Sequence, residues 1–200
     1  MNFTFNQKFY MHFVKRPMGF LMALLLIILL SPIFIATIVL LYFANKGAGV
    51  FFTQDRPGKN EQIFKALKFK TMTDEKDLDG KLLPDADRLT PVGKFIRTTS
   101  IDELPQLINI LKGDMALIGP RPALTYHPWP YEQYTEHQKH MFDVLPGITG
   151  WAQVNGYRGD TSIRKRIECD LYYIENWTVG LDIKIMFMTI FKGFINKNAY

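Results

Sequence analysis

The longest apolar stretch of the chain runs from Phe20 to Phe43 and contains no charged residue. About 20 apolar residues suffice for a helix to cross the hydrocarbon core of a bilayer, so this stretch predicts a membrane-embedded helix. Ser31 and Pro32 divide it into two limbs, each reaching roughly 16 Å, about the depth of one leaflet. Because proline removes a backbone hydrogen bond, the helix should kink there, and the preceding serine can satisfy the freed carbonyl.

Basic residues flank the apolar stretch on both sides. Lys8, Lys15 and Arg16 precede it, and Lys46, Arg56, Lys59, Lys65, Lys68 and Lys70 follow it. Because basic flanks tend to stay on the cytoplasmic side, neither end is expected to be translocated across the membrane. A re-entrant hairpin that kinks at Ser31-Pro32 and leaves by the face it entered fits both flanks, and a kinked membrane-spanning helix is the alternative. A cleaved signal peptide fits poorly, because no small-residue cleavage site clearly follows the long run.

Beyond residue 45 the apolar pattern predicts short extended and helical segments in alternation. Extended segments are predicted at 50–53 and 63–72, a turn at 56–60, a polar loop at 74–88 and a shaped glycine-rich loop at 146–160. Helices are predicted at 92–97, 100–111, 161–177 and 181–197, the last of which could lie in the membrane interface. The aromatic segment 123–144 is either an interfacial helix or a buried aromatic seam.

These elements predict an α/β protein that is mostly helical. Residues 1–45 would hold the re-entrant membrane helix hairpin, and residues 46–200 would form a small, membrane-associated domain with interfacial amphipathic helices. A Rossmann sheet is not expected.

Composition narrows the class of partner. The 200 residues carry 24 Lys and Arg against 19 Asp and Glu, which gives a net charge of +5. This excess suits nucleic acid, anionic lipid or a phosphorylated ligand, but no nucleic-acid-binding motif is present and the membrane segment argues against nucleic acid. The single cysteine, Cys169, excludes an internal disulfide framework, and the lack of CxxC or CxxH patterns argues against a structural zinc site.

The adjacent carboxylates Asp102 and Glu103 are the strongest chemical signal. Ser100 and Glu103 have capping-box spacing and Pro105 suits a first turn, so a helix is predicted to begin here. A helix start favours both ionised carboxylates and phosphate groups, which points to phosphoryl chemistry. A structural interpretation stays open, in which Glu103 only closes the capping box and Asp102 only favours the helix dipole.

Other candidate patterns are weaker. Asp77 with Asp79, and Asp85 with Asp87, have the DxD spacing that holds a metal-bound nucleotide in some glycosyltransferases, but both lie in the polar loop. No GxxxxGK[ST] sequence is present, so the acidic pair does not serve a P-loop nucleotidase.

Several segments in series resemble one protein family. After the stretch broken by Ser31-Pro32 come QDRPGKN (54–60), FKALKFKTM (64–72), SIDELPQLINILKGDMALIGPRP (100–122) and LPGITGWAQVNG (145–156). From about Arg16 to the end, this order resembles the bacterial sugar transferase family, the small monotopic polyprenyl-phosphate phosphoglycosyl transferases. The tail from Arg164 onward looks most like members that handle hexose 1-phosphates.

The resemblance implies an enzyme that transfers a sugar 1-phosphate from a UDP-sugar to undecaprenyl phosphate and releases UMP, with Mg²⁺. It implies that Asp102 is the nucleophile, forms a covalent aspartyl-phosphosugar intermediate and lies near the metal, and that Glu103 assists proton handling. It also implies the cytoplasmic (inner) membrane of a bacterium, with the catalytic domain facing the cytoplasm, and the first membrane step of a glycoconjugate pathway. A homodimer is left open, since no motif indicates one.

Family positions also single out residues that would contact phosphate groups or the carboxylate pair: Lys68, Lys70, Arg97, Arg121 and Asp170. A structural role for Asp170 is equally open. Two other functions remain as alternatives. A DxD-type membrane glycosyltransferase would tolerate Asp102→Asn, and a non-enzymatic membrane adaptor would release no UMP and tolerate Asp102→Ala.

Overall fold

The computed structural model describes residues 9–124, 131–157 and 162–195. Its helices are α1 (Arg16–Leu29), α2 (Ser31–Ala44), α3 (Asp85–Arg88), α4 (Pro91–Thr98), α5 (Gln106–Lys112), α6 (Glu136–Lys139), α7 (Trp151–Val154), α8 (Ile163–Glu175) and α9 (Val179–Ile195). The strands are β1 (Phe51–Pro57), β2 (Ile63–Phe69), β3 (Ala116–Ile118) and β4 (Gly147–Thr149). A π-helix at Tyr10–Lys15 precedes α1, and 3₁₀ turns lie at Lys59–Glu61, Ile101–Glu103, Tyr131–Gln133 and His140–Asp143. The predicted mixed, mostly helical α/β class is confirmed for these residues.

The apolar stretch forms two helices joined at a sharp bend. The segments Phe13–Leu29 and Ser31–Ala44 meet at 61°, and Pro32 lies in the first turn of α2. The Ser31 hydroxyl donates to the carbonyl of Ile28 at 2.8 Å, the carbonyl that the missing proline N–H leaves free. Within the described ranges, no single helix is long and apolar enough to cross a bilayer, and the bent pair meets that test only jointly.

One face of this hairpin packs against the rest of the protein. Ala23 of α1 is buried against Leu107 and Ile110 of α5, and Leu41 of α2 is buried beside Phe69 of β2. The opposite face exposes large apolar side chains, namely Leu21, Leu25, Ile28, Leu29, Ile35, Val39, Leu40 and Phe43. The hairpin therefore has a packed face and an unpartnered apolar face.

Both ends of the hairpin are fastened to the same domain. Before α1, the Lys15 ammonium lies 3.0 Å from the buried Asp182 carboxylate and 4.4 Å from the centre of the Trp177 ring. After α2, the Asn45 side chain donates to the carbonyls of Gly49 and Lys70, each at 2.7 Å. Because these anchors are polar and buried, they hold the two ends on one side of the hairpin.

The described strands form two separate two-stranded sheets. Strands β1 and β2 form an antiparallel hairpin in which Phe51 lies opposite Phe69, and β3 and β4 form a parallel pair. The buried Asn109 of α5 fixes the helix to β2, because its amide donates to the Lys65 carbonyl at 2.8 Å and accepts from the Leu67 N–H at 2.9 Å. This contact brings Lys68 alongside the turn that precedes α5.

The aromatic segment 123–144 does not form one interfacial helix where the structure describes it. It folds into 3₁₀ turns and the four-residue α6, and residues 125–130 lie outside the described residues. Tyr134 and Phe142 are both buried and their rings meet edge to face. Burial of these rings in the protein interior favours a folded aromatic seam over a helix on a membrane surface.

Gly93 lets α4 approach the end of β2, and we expect Gly93→Ala to separate them. A Cβ at this position would lie 2.0 Å from the carbonyl oxygen of Thr71, and that atom belongs to the backbone and cannot swing away. Forced overpacking of this kind costs about 1–3 kcal/mol or more. Thermal unfolding in detergent should show this loss, whereas Gly180→Ala, whose Cβ would meet only the Thr178 hydroxyl at 3.9 Å, should be neutral or stabilising.

Candidate functional site

The carboxylate pair lies on a 3₁₀ turn rather than at a helix start. Ser100 adopts a left-handed backbone, with φ of 58°, and makes no side-chain cap, so the predicted capping box is wrong. The turn Ile101–Glu103 follows, and α5 begins only at Gln106. The Glu103 side chain is buried and pairs with cations from other parts of the chain.

Glu103 is held by two cations. The Arg121 guanidinium grips both carboxylate oxygens, with Nη1 donating to Oε2 at 3.2 Å and Nη2 donating to Oε1. The Lys68 ammonium donates to Oε1 at 3.1 Å. A bidentate arginine fixes orientation as well as charge, so Glu103 holds both cations beside its neighbour Asp102.

Asp102 is buried but far less satisfied. Its Oδ2 lies 3.9 Å from the Lys68 ammonium, and its buried Oδ1 has no hydrogen-bond partner. Burial, together with the negative charge of Glu103, raises the pKa of Asp102 to about 6, and Lys68, Arg97 and Arg121 oppose that rise. A poorly solvated carboxylate with an open oxygen is suited to attack an electrophile or to bind a cation.

Arg97 supplies positive charge on the other side of Asp102. Its Nε donates to the Thr71 hydroxyl at 2.8 Å, which fixes the stem, and no other hydrogen bond or ion pair of this side chain occurs among the described residues. The charge of Arg97 is close enough to lower the pKa of Asp102. The guanidinium thus keeps donor groups for an incoming anion.

Lys70 and Asp170 lie outside this immediate group. The Lys70 ammonium donates to the carbonyl of Ala48 at 2.9 Å and pairs with Asp74, and none of its described polar contacts reaches Asp102 or Glu103. The structure therefore places Lys68 at the carboxylate pair but not Lys70. Asp170, on α8, reaches the pair only through Arg166 and Arg121.

That indirect link is short and buried. The Nε of Arg166 lies 4.0 Å from Asp170, and its Nη2 donates to the backbone carbonyl of Arg121 at 3.0 Å. Asp170 is fully buried, and burial raises its pKa to about 7 against the opposing charges of Arg166 and Arg121. The two side chains together support the loop that presents Arg121.

Sequence reasoning missed Arg166, Thr71 and Arg56. Arg166 precedes Asp170 by one helical turn, a spacing at which opposite charges pair, so that signal was available. Thr71 holds Arg97, and Arg56 donates to the carbonyl of Pro122 at 2.9 Å. Those two contacts join residues distant in the chain, and no local spacing reveals them.

At the carboxylate pair, Asp102 is the candidate ligand for a metal ion. Among the described residues no group of three or more His, Cys, Asp and Glu is arranged to hold one. Glu103 pairs with Arg121 and Lys68, whereas the buried Oδ1 of Asp102 has no hydrogen-bond partner in the part of the chain that the structure describes. Mg²⁺ is commonly bound through one or two carboxylates plus substrate phosphates, so this donor set fits Mg²⁺ only together with a phosphorylated ligand.

Similarity to known proteins agrees with this geometry. The family model described as bacterial sugar transferase matches residues 10–196. A Bacillus subtilis protein named uncharacterized sugar transferase EpsL is 46% identical over 92% of this chain and 89% of its own length. An Escherichia coli protein named UDP-glucose:undecaprenyl-phosphate glucose-1-phosphate transferase is 42% identical over 94% of this chain and 41% of its own.

A third relative carries a different sugar in its name. The Aeromonas hydrophila protein named UDP-N-acetylgalactosamine-undecaprenyl-phosphate N-acetylgalactosaminephosphotransferase is 43% identical over 89% of this chain and 43% of its own length. The chain thus spans less than half of the Escherichia coli and Aeromonas proteins. Relatives of nearly equal identity are named for different sugars, so identity does not select the sugar.

Proposed function

Because the chain belongs to the bacterial sugar transferase family, we propose that it transfers a sugar 1-phosphate from a UDP-sugar to undecaprenyl phosphate and releases UMP. The observation that carries the proposal is a buried carboxylate, Asp102, whose Oδ1 has no hydrogen-bond partner among the described residues and which lies near the charges of Lys68, Arg97 and Arg121. The names of the Escherichia coli and Aeromonas relatives supply the substrate classes.

The reaction would proceed in two displacements at phosphorus. A carboxylate oxygen of Asp102 attacks the sugar-linked phosphorus, and the bond to the bridging oxygen breaks, so UMP leaves with that electron pair. An oxygen of undecaprenyl phosphate then attacks the same phosphorus, and the Asp102 carboxylate leaves. Splitting the transfer through a covalent intermediate replaces one hard step by two easier ones.

The cations stabilise charge that gathers on the phosphate oxygens. Arg97 retains donors for the diphosphate, and Lys68 and Arg121 are held ready by Glu103, so little reorganisation is needed when charge develops. Glu103 orients these cations in addition to the proton handling predicted for it. Mg²⁺, when bound through Asp102 and the diphosphate, would neutralise charge on the departing UMP.

The bent hairpin gives this chemistry its location. Both ends of the hairpin are fastened to one domain, through Lys15 with Asp182 and through Asn45 with Lys70, and no described residue covers the apolar outer face. We propose that the hairpin enters a single leaflet of the bacterial cytoplasmic membrane and returns, with the catalytic domain on the cytoplasmic side. A lipid phosphate and a water-soluble nucleotide sugar then meet at one surface, which supplies proximity.

Cysteine labelling tests this topology. In a Cys169→Ser background, Phe9→Cys and Lys46→Cys place one thiol before and one after the hairpin, and both wild-type side chains are exposed. We expect a membrane-impermeant maleimide to label both positions in inverted vesicles and neither in intact spheroplasts. If one of the two positions were labelled in intact spheroplasts and the other were not, the re-entrant topology would be contradicted and a kinked span would be favoured.

The function itself is tested by UMP release. Purified protein, undecaprenyl phosphate and Mg²⁺ are incubated with UDP-glucose, UDP-galactose and their N-acetylated counterparts, and UMP and the lipid product are measured. We expect turnover with at least one donor, loss of it in Asp102→Asn, and retention of it in Asp79→Asn. A DxD-type glycosyltransferase would release UDP instead of UMP and would lose activity in Asp79→Asn but not in Asp102→Asn. An adaptor would release neither nucleotide from any donor.

A further inference from the structure

We propose that the cavity between Pro57, Glu61, Tyr131 and Phe142 binds the nucleobase of the nucleotide donor, and that Glu61 selects uracil. This inference rests on the proposed function, because it assigns a place to one part of the same donor. The cavity measures about 110 Å³. Its walls come from the region of the QDRPGKN turn and from the aromatic segment 123–144. Neither feature has a role in the transfer steps described above.

The walls of the cavity suit a flat aromatic ring. Tyr131 and Tyr134 both meet Phe142, at centroid distances of 5.2 and 5.8 Å, and Pro57 closes the opposite side. Tyr134 and Phe142 are buried, whereas Tyr131 is only half-buried and stands at the entrance. Bases stack on aromatic side chains of this kind without regard to sequence.

The cavity adjoins a second cavity that reaches Arg121, the partner of Glu103. Pro57, Ala123, Tyr134 and Phe142 also line a second cavity, which Arg121 and Arg166 border. Ala123 follows Arg121 by two residues, so the chain between them spans at most about 7 Å. Arg56 donates to the Pro122 carbonyl at 2.9 Å and so fixes the nucleobase cavity to this loop. A nucleotide with its phosphates at Arg121 would therefore extend its base toward Tyr131.

Glu61 supplies the polar edge. Asn60 and Glu61 have positive φ values of 53° and 61°, which side chains other than glycine seldom adopt, and this backbone directs Glu61 to the cavity. Burial and a hydrogen bond to the Glu61 carboxylate raise the pKa of Tyr131 to about 12. A carboxylate that meets N3 of the base can accept a hydrogen bond from N3–H of uracil, whereas N3 of cytosine carries no hydrogen, so a Glu61 carboxylate at N3 would favour uracil.

Equilibrium binding of UMP, CMP and ribose 5-phosphate separates the base from the phosphate. We expect the wild type to bind UMP at least tenfold more tightly than ribose 5-phosphate, and Tyr131→Ala to remove this difference while leaving ribose 5-phosphate binding unchanged. Glu61→Gln, at an exposed position, should reduce the preference for UMP over CMP several-fold, because glutamine can donate to cytosine N3. The controls Tyr172→Ala and Glu168→Gln, on the exposed face of α8, should behave like the wild type.

The outcomes separate this inference from the proposed function. Equal wild-type affinity for UMP and ribose 5-phosphate would overturn the nucleobase site, whether or not transfer occurs. If Tyr131→Ala and Glu61→Gln both release UMP from the UDP-sugar with the KM of the wild type, the nucleobase site is overturned and the transferase function stands. Absence of UMP release from every UDP-sugar, with selective UMP binding intact, would support the site and contradict the transfer.

Discussion

Asp102→Asn should abolish sugar-phosphate transfer while making the protein more stable. The asparagine amide keeps the shape of the carboxylate but cannot attack phosphorus, so we expect turnover to fall by about 10⁴-fold or more, as for other lost nucleophiles. UMP release and formation of the lipid product should be lost together. Without Mg²⁺, the variant should bind its nucleotide as the wild type does, because Arg97, Lys68 and Arg121 remain in place.

The gain in stability follows from the raised pKa of Asp102. Burial moves the pKa of this carboxyl from 3.8 to about 6, so between these values the folded protein holds more protons than the unfolded chain. Ionisation therefore opposes folding above about pH 6, and asparagine removes that cost. We expect Asp102→Asn to raise the free energy of unfolding by about 1–3 kcal/mol at pH 8 in EDTA, with the gain vanishing near pH 4.

Thermal unfolding across this pH range provides the measurement. The matched control is Asp79→Asn, which changes an exposed carboxylate in the polar loop and should leave both activity and stability unchanged. A stability loss in Asp102→Asn at pH 8 would mean that its carboxylate holds the fold together. A variant that is inactive but more stable would instead indicate that the Asp102 carboxylate serves the reaction and not the fold.

Arg121→Met should damage both the fold and the reaction. The substitution removes the bidentate partner of the buried Glu103, and removal of one partner from a buried ion pair costs about 3–5 kcal/mol. Because Arg121 keeps some exposure, we expect the lower part of that range. Turnover should fall by about 10²–10³-fold, the usual effect of losing one donor to developing charge.

Two variants separate charge from geometry at Arg121. Arg121→Lys keeps the charge but loses the two-pronged grip, so its activity and stability should lie between wild type and Arg121→Met. Lys46→Met breaks the exposed pair with Glu75 and should cost less than about 1 kcal/mol. Unfolding of Arg121→Met at the wild-type temperature would contradict the role given to the Glu103 pair.

The sequence predicted those features that local spacing encodes. The break at Ser31-Pro32 could be predicted because proline disrupts the hydrogen bonding of its own helical turn. The structure adds the hydrogen bond from the Ser31 hydroxyl to the Ile28 carbonyl. The motif around Asp102 and Glu103 singled out this pair, and the structure shows that both side chains are buried. The predicted capping box was wrong. Ser100 and Glu103 have the required spacing, but the left-handed backbone of Ser100 prevents the cap from forming.

Long-range contacts account for what the sequence left out. Lys68 and Lys70 look equivalent in FKALKFKTM, yet only Lys68 meets the carboxylate pair, since Asn109 sets how β2 lies against α5. The support of Arg121 by Arg166 depends on how α8 packs against the loop at Pro120 and Pro122. Packing of this kind depends on elements far apart in the chain.

The most direct test of the central claim is mass analysis of the protein after incubation with a UDP-sugar and Mg²⁺ but no lipid acceptor. The account predicts release of about one UMP per active site, a sugar-phosphate adduct on the peptide containing Asp102, and loss of the adduct when undecaprenyl phosphate is added. Transfer that proceeds only when the acceptor is present, with the Asp102 peptide unmodified, would contradict it.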